Sequence, residues 1–258
     1  HTATERFMKI IIQIFLLLLA INTIFVCKKK EEPKPIEGST SSDTQPIEEE
    51  SGPPTREAIP NPTIPSPAGL INIKEAKGDL DGDAGDELVA VYDTKRDGDL
   101  GTEREIHIFK NSGGNWKLLH KSIGAVLPSR GGGMMGDPFE DLVIKNKTII
   151  IRHFGGSREK WAYTHRYRFQ NENWYLIGAT IVFSSPCESS STYDFNLSTG
   201  KVNITDEKET CDQNGEPKGN PKTKTSSAIV KSQKPVLMDG ISPGGQEVKL
   251  SKDKSFYF

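Results

Sequence analysis

Residues 160–183 read KWAYTHRYRFQNENWYLIGATIVF. Trp161, Tyr163, His165, Tyr167 and Phe169 alternate with Ala162, Thr164, Arg166 and Arg168. That period of two sends one set of side chains to each face of a strand. Asn171-Glu172 supplies a tight turn, which sets Phe169 opposite Trp174 and Tyr167 opposite Leu176. The aromatic row is then expected to share one face with Trp174, Leu176 and Val182. Such a face reads as core. A platform that stacks sugars or an apolar ligand is the alternative.

The same grammar extends outward in both directions. Short β-branched and aromatic runs alternate with Gly/Asn/Asp turns from Leu70 onward. Strands are expected near 70–75, 87–93, 104–110, 116–121, 140–145, 148–154, 160–169, 174–183, 192–196 and 201–206. Turns at 111–115 (NSGGN), Asn146-Lys147, 171–174 (NENW) and 196–201 (NLSTGK) join neighbours as hairpins. No amphipathic helix pattern interrupts them. The prediction is an all-β domain, an antiparallel meander of about 8–10 strands forming a sandwich, an open barrel or a propeller-like sheet.

This domain is expected over residues 68–258, with a loop-rich C-terminal part. Residues 212–227 resemble a linker in composition. Residues 28–67 hold nine of the sixteen prolines and much Glu, Lys and Ser, too little apolar surface to fold. They are expected to form a disordered tether. Fully extended at ~3.1 Å per residue it would span roughly 120 Å. Residues 1–27 read as a signal peptide or membrane anchor. Arg6 and Lys9 precede an apolar run over residues 10–26, with Met8 as the apparent start. The run ends at Cys27, followed by three lysines. Residues 8–30 resemble the signal of bacterial lipoproteins, in which such a Cys becomes the acylated N-terminus. Ile24 fits that pattern; Val26 is bulkier than the usual small residue. The resemblance implies lipidation at Cys27. An uncleaved 17-residue anchor and ordinary cleaved secretion are the alternatives. All three put the domain outside the cytoplasm, where Cys187 and Cys211 would be an even pair. A hairpin turn near residues 197–200 pairs residues whose numbers sum to about 397 or 398. That register brings the two cysteines opposite each other, and a disulfide is expected.

The most chemically pointed stretch is GDLDGDAGDE, residues 78–87. Carboxylates stand at loop positions 1, 3, 5, 8 and 9, and an apolar strand follows. Charges at that density repel, and a hard cation held by oxygen ligands relieves them. A solvated acidic turn is the alternative. Position 12 is Ala90 rather than a bidentate acid, so the loop is not an EF-hand. The stretch resembles the calcium loop of FG-GAP and VCBS repeats, Asp-x-Asp/Asn-Gly-Asp-Gly-x-x-Asp leading into a strand. That resemblance implies Ca²⁺ with Asp79, Asp81, Asp83 and Glu87 as side-chain ligands and Gly85 as a carbonyl ligand. Ala84 stands where the family has Gly, and Glu87 where it has Asp. Asp97-Gly98-Asp99 is a second acidic turn that could complete such a site or form a simple loop.

Residues 128–141 (PSRGGGMMGDPFED) place three glycines between Arg130 and Asp137, a binding loop or a structural turn. From Gly78 to about residue 206 the chain resembles bacterial surface lipoproteins of no known activity with a similar acidic loop and GGG…GDPF segment. Net charge is −2, and no nucleic-acid-reading motif is present, so nucleic acid is not an expected partner. There is no GxSxG or HExxH. A glycosidase pair could be assembled only by choosing among Glu105, Asp137, Glu140 and Asp141. The expected function is that of an anchored binding or structural module with a protein or carbohydrate ligand. A surface hydrolase or an accessory subunit of an envelope assembly is the alternative.

Overall fold

The computed structural model describes residues 63–258 apart from Ala84, Ser232 and Gln233. The signal or anchor segment with Cys27, and the tether up to residue 62, lie outside the described residues. Fourteen strands form, all paired antiparallel, and there is no helix among the described residues.

Four strands make the first sheet in sequential order: β1 (Ile71–Gly78), β2 (Glu87–Gly98), β3 (Gly101–Ser112) and β4 (Asn115–Ile123). The second sheet is a longer meander. It runs through β5 (Phe139–Lys145), β6 (Thr148–Gly156), β7 (Lys160–Gln170), β8 (Asn173–Ser185), β9 (Ser189–Asn196), β10 (Lys201–Lys208) and β11 (Lys222–Ile229). A short β12 (Val236–Leu237) adds to the free edge of β8. A separate hairpin, β13 (Glu247–Lys249) with β14 (Ser255–Tyr257), lays Val248, Phe256 and Phe258 into the core. No sheet closes on itself into a barrel.

Local chemistry explains the meander. Of the four hairpins that turn on two residues, three, at Gly113-Gly114, Asn146-Lys147 and Asn171-Glu172, have positive φ at both positions. That is the type I′ geometry whose twist matches the flanking strands. Inward residues of both sheets merge into one core: Val89, Val91, Ile106 and Ile108 from the first, Leu142, Ile149, Ile151, Tyr167, Ala179 and Ile181 from the second. The sheets meet closely where β1 passes β5. A Cβ on Gly78 would lie 2.8 Å from Ile144, so only glycine permits that approach.

The aromatic row is core at its centre. Tyr163, His165 and Tyr167 are buried, Trp161 is half-buried, and Phe169 at the turn is exposed. Phe169 does face Trp174 and Tyr167 does face Leu176. Val182 corrects the expected face. A bulge at Ile177 pairs Arg166 with Gly178, so the parity of β8 flips. Ala179 and Ile181 then take the core side, and Val182 turns to the other face. The linker-like reading of 212–227 is corrected too, because β11 begins at Lys222 and pairs β10 in unbroken register.

The first sheet also has a covered outer face. Leu88, Ala90, Tyr92 and Phe109 are buried there beneath Ile64 and Leu70. The Tyr92 hydroxyl donates to the Pro65 carbonyl at 2.7 Å. Residues 63–70 thus lie across β2 and β3 as a strap.

The glycine-rich loop is laced to both sheets. Ser129 and Arg130 amides donate to Thr102 and Leu100 carbonyls at 3.1 and 2.8 Å, and Gly156 donates to Gly132 at 2.9 Å. Buried Arg104 grips Asp137 through two nitrogens. At the loop apex Met134 is 86% exposed, and Gly133, Met135 and Gly136 beside it are exposed as well.

Candidate metal site

Gly78 and Glu87 are register partners, so β1 and β2 close the acidic loop at its base. Leu80 plunges from the loop into the core at 3% exposure and fixes its path. Inside the loop the carboxylates fold the backbone. Asp79 Oδ1 accepts from the Gly82 amide at 2.5 Å, Asp81 Oδ1 from Asp83 at 3.0 Å, and Asp83 Oδ1 from Gly85 at 2.8 Å. The last two are Asx turns, and each of the three carboxylates keeps its second oxygen for another partner. Gly82 takes φ 93°, the left-handed backbone glycine allows.

Asp79, Asp81 and Glu87 converge, each offering an oxygen within 4.8 Å of the others. Asp79 and Asp81 reach solvent, whereas Glu87 is 1% exposed. Glu87 Oε2 accepts from the Leu80 amide at 2.7 Å. Its Oε1 accepts no hydrogen bond among the described residues. Burial raises the Glu87 pKa, and the charges of Asp81 and Asp83 push the same way; the Leu80 amide opposes them. A buried carboxylate with one bare oxygen beside two more carboxylates stores electrostatic cost that a cation removes.

Two lysines already lean on the loop. Lys110 Nζ is 2.5 Å from Asp81 Oδ2, pairs with Asp83, and lies 3.9 Å from Glu87 Oε1. The hydrogen bonds that Lys110 donates to Asp81 and Asp83 raise the Lys110 pKa, and the bond to Asp83 is the main cause that lowers the Asp83 pKa. Lys147 Nζ lies 3.9 Å from Asp79 Oδ2. Neither lysine was signalled by the motif. Lys110 arrives because it is the β3 register partner of Glu87. A bulge between Asp93 and Asp97 offsets that register, so counting back from the β2–β3 turn would misplace it.

Of the five expected ligands, the structure brings three together. Asp83 gives its second oxygen to Lys110, and Gly85 joins through its amide. Ala84 lies outside the described residues. Asp97-Gly98-Asp99 does not join the site. It sits at the far end of the 12-residue β2, roughly 35 Å along the strand from Glu87.

The acids weighed for hydrolysis are mostly tied up. Glu105 is buried and bonded by Arg96 at 2.7 Å, Lys121 at 2.9 Å and His107 at 2.9 Å. Burial works against its charge, but those bonds outweigh it and hold the pKa down to about 2. Asp137 is held by Arg104, and Asp141 by Arg152 at 2.9 Å. Glu140 is an exposed position of β5.

Cys187 and Cys211 are joined in a disulfide with Cα atoms 5.1 Å apart. β9 and β10 pair throughout in the expected register, Ser189 with Lys208 at its outer end. The cysteines close the ladder just beyond, with Cys187 in a left-handed backbone at φ 64°. Compared with protein-family models, curated proteins and solved structures, the chain matches none.

Proposed function

We propose that the chain is an extracytoplasmic, membrane-anchored lipoprotein whose β domain binds Ca²⁺ at residues 79–87 and serves as a binding or structural module. The metal reading is carried by Glu87, whose buried Oε1 accepts no hydrogen bond among the described residues and converges with Asp79 and Asp81, the nearest cation being Lys110 at 3.9 Å. Oxygen-only donors suit a hard cation, and water reaching the solvent-exposed Asp79 and Asp81 would complete its shell. The anchor reading rests on the apolar run before Cys27. The disulfide is compatible with an oxidising compartment.

Thermal unfolding of the purified protein in Ca²⁺ and in EDTA tests the metal. Extracellular modules bind at about 10⁻⁴–10⁻³ M, and a hundredfold excess over the dissociation constant adds about 2.7 kcal/mol. Asp81→Ala and Glu87→Gln should each remove that increment. An unmoved Tm in the parent protein refutes the site.

Lys110 favours a second reading, in which its ammonium is the permanent counter-ion. Lys110→Met separates the two. If Ca²⁺ competes with the lysine, the variant binds Ca²⁺ more tightly and recovers its stability in millimolar Ca²⁺. If the lysine is the native cation, the variant is destabilised and Ca²⁺ does not rescue it.

A further inference from the structure

The core of the second sheet stops abruptly. One transverse row, Tyr163–Ile181–Tyr193–Ile204, is buried across four strands. The next row on the same face, two residues outward, runs Trp161–Phe183–Ser191–Asp206. There the chemistry changes within one row from aromatic to hydroxyl to carboxylate. An open groove of about 630 Å³ lies along the Trp161, Phe183 and Ser191 part of this row. Its other walls come from Gly133 and Met134 at the loop apex, from the β6–β7 turn, and from Ser184, Ser185 and Ser189.

Three features distinguish this groove from a ragged core edge. First, Trp161 is held in place. A Cβ on its cross-strand partner Gly155 would fall 2.3 Å from the indole, so the ring lies directly against that glycine backbone. Tyr163 backs it at a ring separation of 5.1 Å. Second, the polar end is ordered. Ser191 Oγ donates to Asp206 at 2.7 Å, and Lys254 from the β13–β14 turn reaches the same carboxylate at 2.9 Å. Third, the hydroxyls of Ser184, Ser185 and Ser189 make no hydrogen bond among the described residues. Formal charge in the lining is balanced, with Glu159 against Lys160.

We propose that this groove binds a neutral saccharide chain. A sugar ring presents an apolar C–H face, which suits a fixed indole, and a rim of hydroxyls, which suits serines able both to donate and to accept. A peptide of either charge would meet no excess of opposite charge here. A purely apolar ligand would strand the serine hydroxyls without water. The volume falls within the ~300–1,000 Å³ of ordinary ligand clefts. This narrows the binding-module reading to a ligand class and does not depend on the calcium loop.

The test is titration of the full-length protein in detergent with defined neutral tetrasaccharides of glucose, galactose and N-acetylglucosamine. Tryptophan fluorescence and saturation-transfer NMR are the readouts. At least one should give a saturable response, with saturation concentrated on the C–H face of a ring. Trp161→Ala should weaken it at least about tenfold, a loss of ~1.4 kcal/mol. Ser189→Arg fills the groove without touching the core, and should abolish the response even if Trp161→Ala fails to fold. No saturable response up to ~10 mM, or a response unchanged in Ser189→Arg, overturns the proposal. A Ca²⁺-dependent Tm that persists beside such a failure leaves the calcium reading standing, so the two are separable.

Discussion

His165 lies fully buried on β7, and neither ring nitrogen has a hydrogen-bond partner among the described residues. His153 on β6 is also buried, and its Nε2 accepts from the Leu127 amide at 3.2 Å. Burial lowers both pKa values to about 3, helped for His153 by His165 and Arg104 and for His165 by Arg166. An unfolded imidazole titrates near ~6.5, so on acidification the unfolded chain takes up protons first. The contribution of the neutral rings is intact above about pH 6.5 and is lost as pH falls toward about 3. His165→Phe should therefore flatten the acid limb. Its stability difference between neutral pH and about pH 4.5 should shrink by on the order of 2–3 kcal/mol relative to the parent. Urea denaturation at the two pH values measures this, and an unchanged difference assigns the acid limb to other groups. The stabilisation that Glu105 gains from its lowered pKa is lost as pH falls from about 4.5, where the unfolded carboxyl begins to protonate, toward about 2, and so falls mostly below that window.

Among the elements, the β7–β8 hairpin carries a correctable strain. Glu172 sits at φ 63° in a turn that prefers glycine at its second position. Glu172→Gly should stabilise the protein by about 0.5–1 kcal/mol, the relief of a left-handed non-glycine residue less the added unfolded-state entropy. A fall in Tm would mean that Glu172 makes a compensating contact. That hairpin was legible because its turn and its alternation agree, and the ten expected strands correspond to β1 to β10. The bulge at Ile177 was not legible, since nothing in the run LIGAT marks an extra residue, and Val182 was misplaced for that reason. β11 escaped notice because its residues are exposed on both faces apart from Ala228, leaving no alternation to read. β12 to β14 span only two or three residues each. At the candidate site the acids were plain in the loop itself. The lysines come from other strands and turns, and only register reveals them.

For the molecule as a whole, the proposed membrane placement rests on residues before 63. Cys27→Ser should release the protein from the membrane fraction or leave a longer uncleaved precursor. Unchanged fractionation and gel mobility would assign the anchoring to the apolar run alone. On that proposal, the chain enters the fold through the strap of residues 63–70. Pulled directly, edge strand β1 would unzip from β2 one hydrogen bond at a time, the weakest way to load a sheet. Tension arriving along the chain instead meets the strap first, where Ile64, Leu70 and the Tyr92–Pro65 bond are loaded together in shear across β2 and β3. The strap would then act as a strain relief, like the collar on a cable. Tyr92→Phe should leave the unfolding free energy within about 1.5 kcal/mol of the parent while lowering the force of the first rupture when the molecule is stretched from its N-terminus. Equal rupture forces in the two proteins would mean that the strap bears no load.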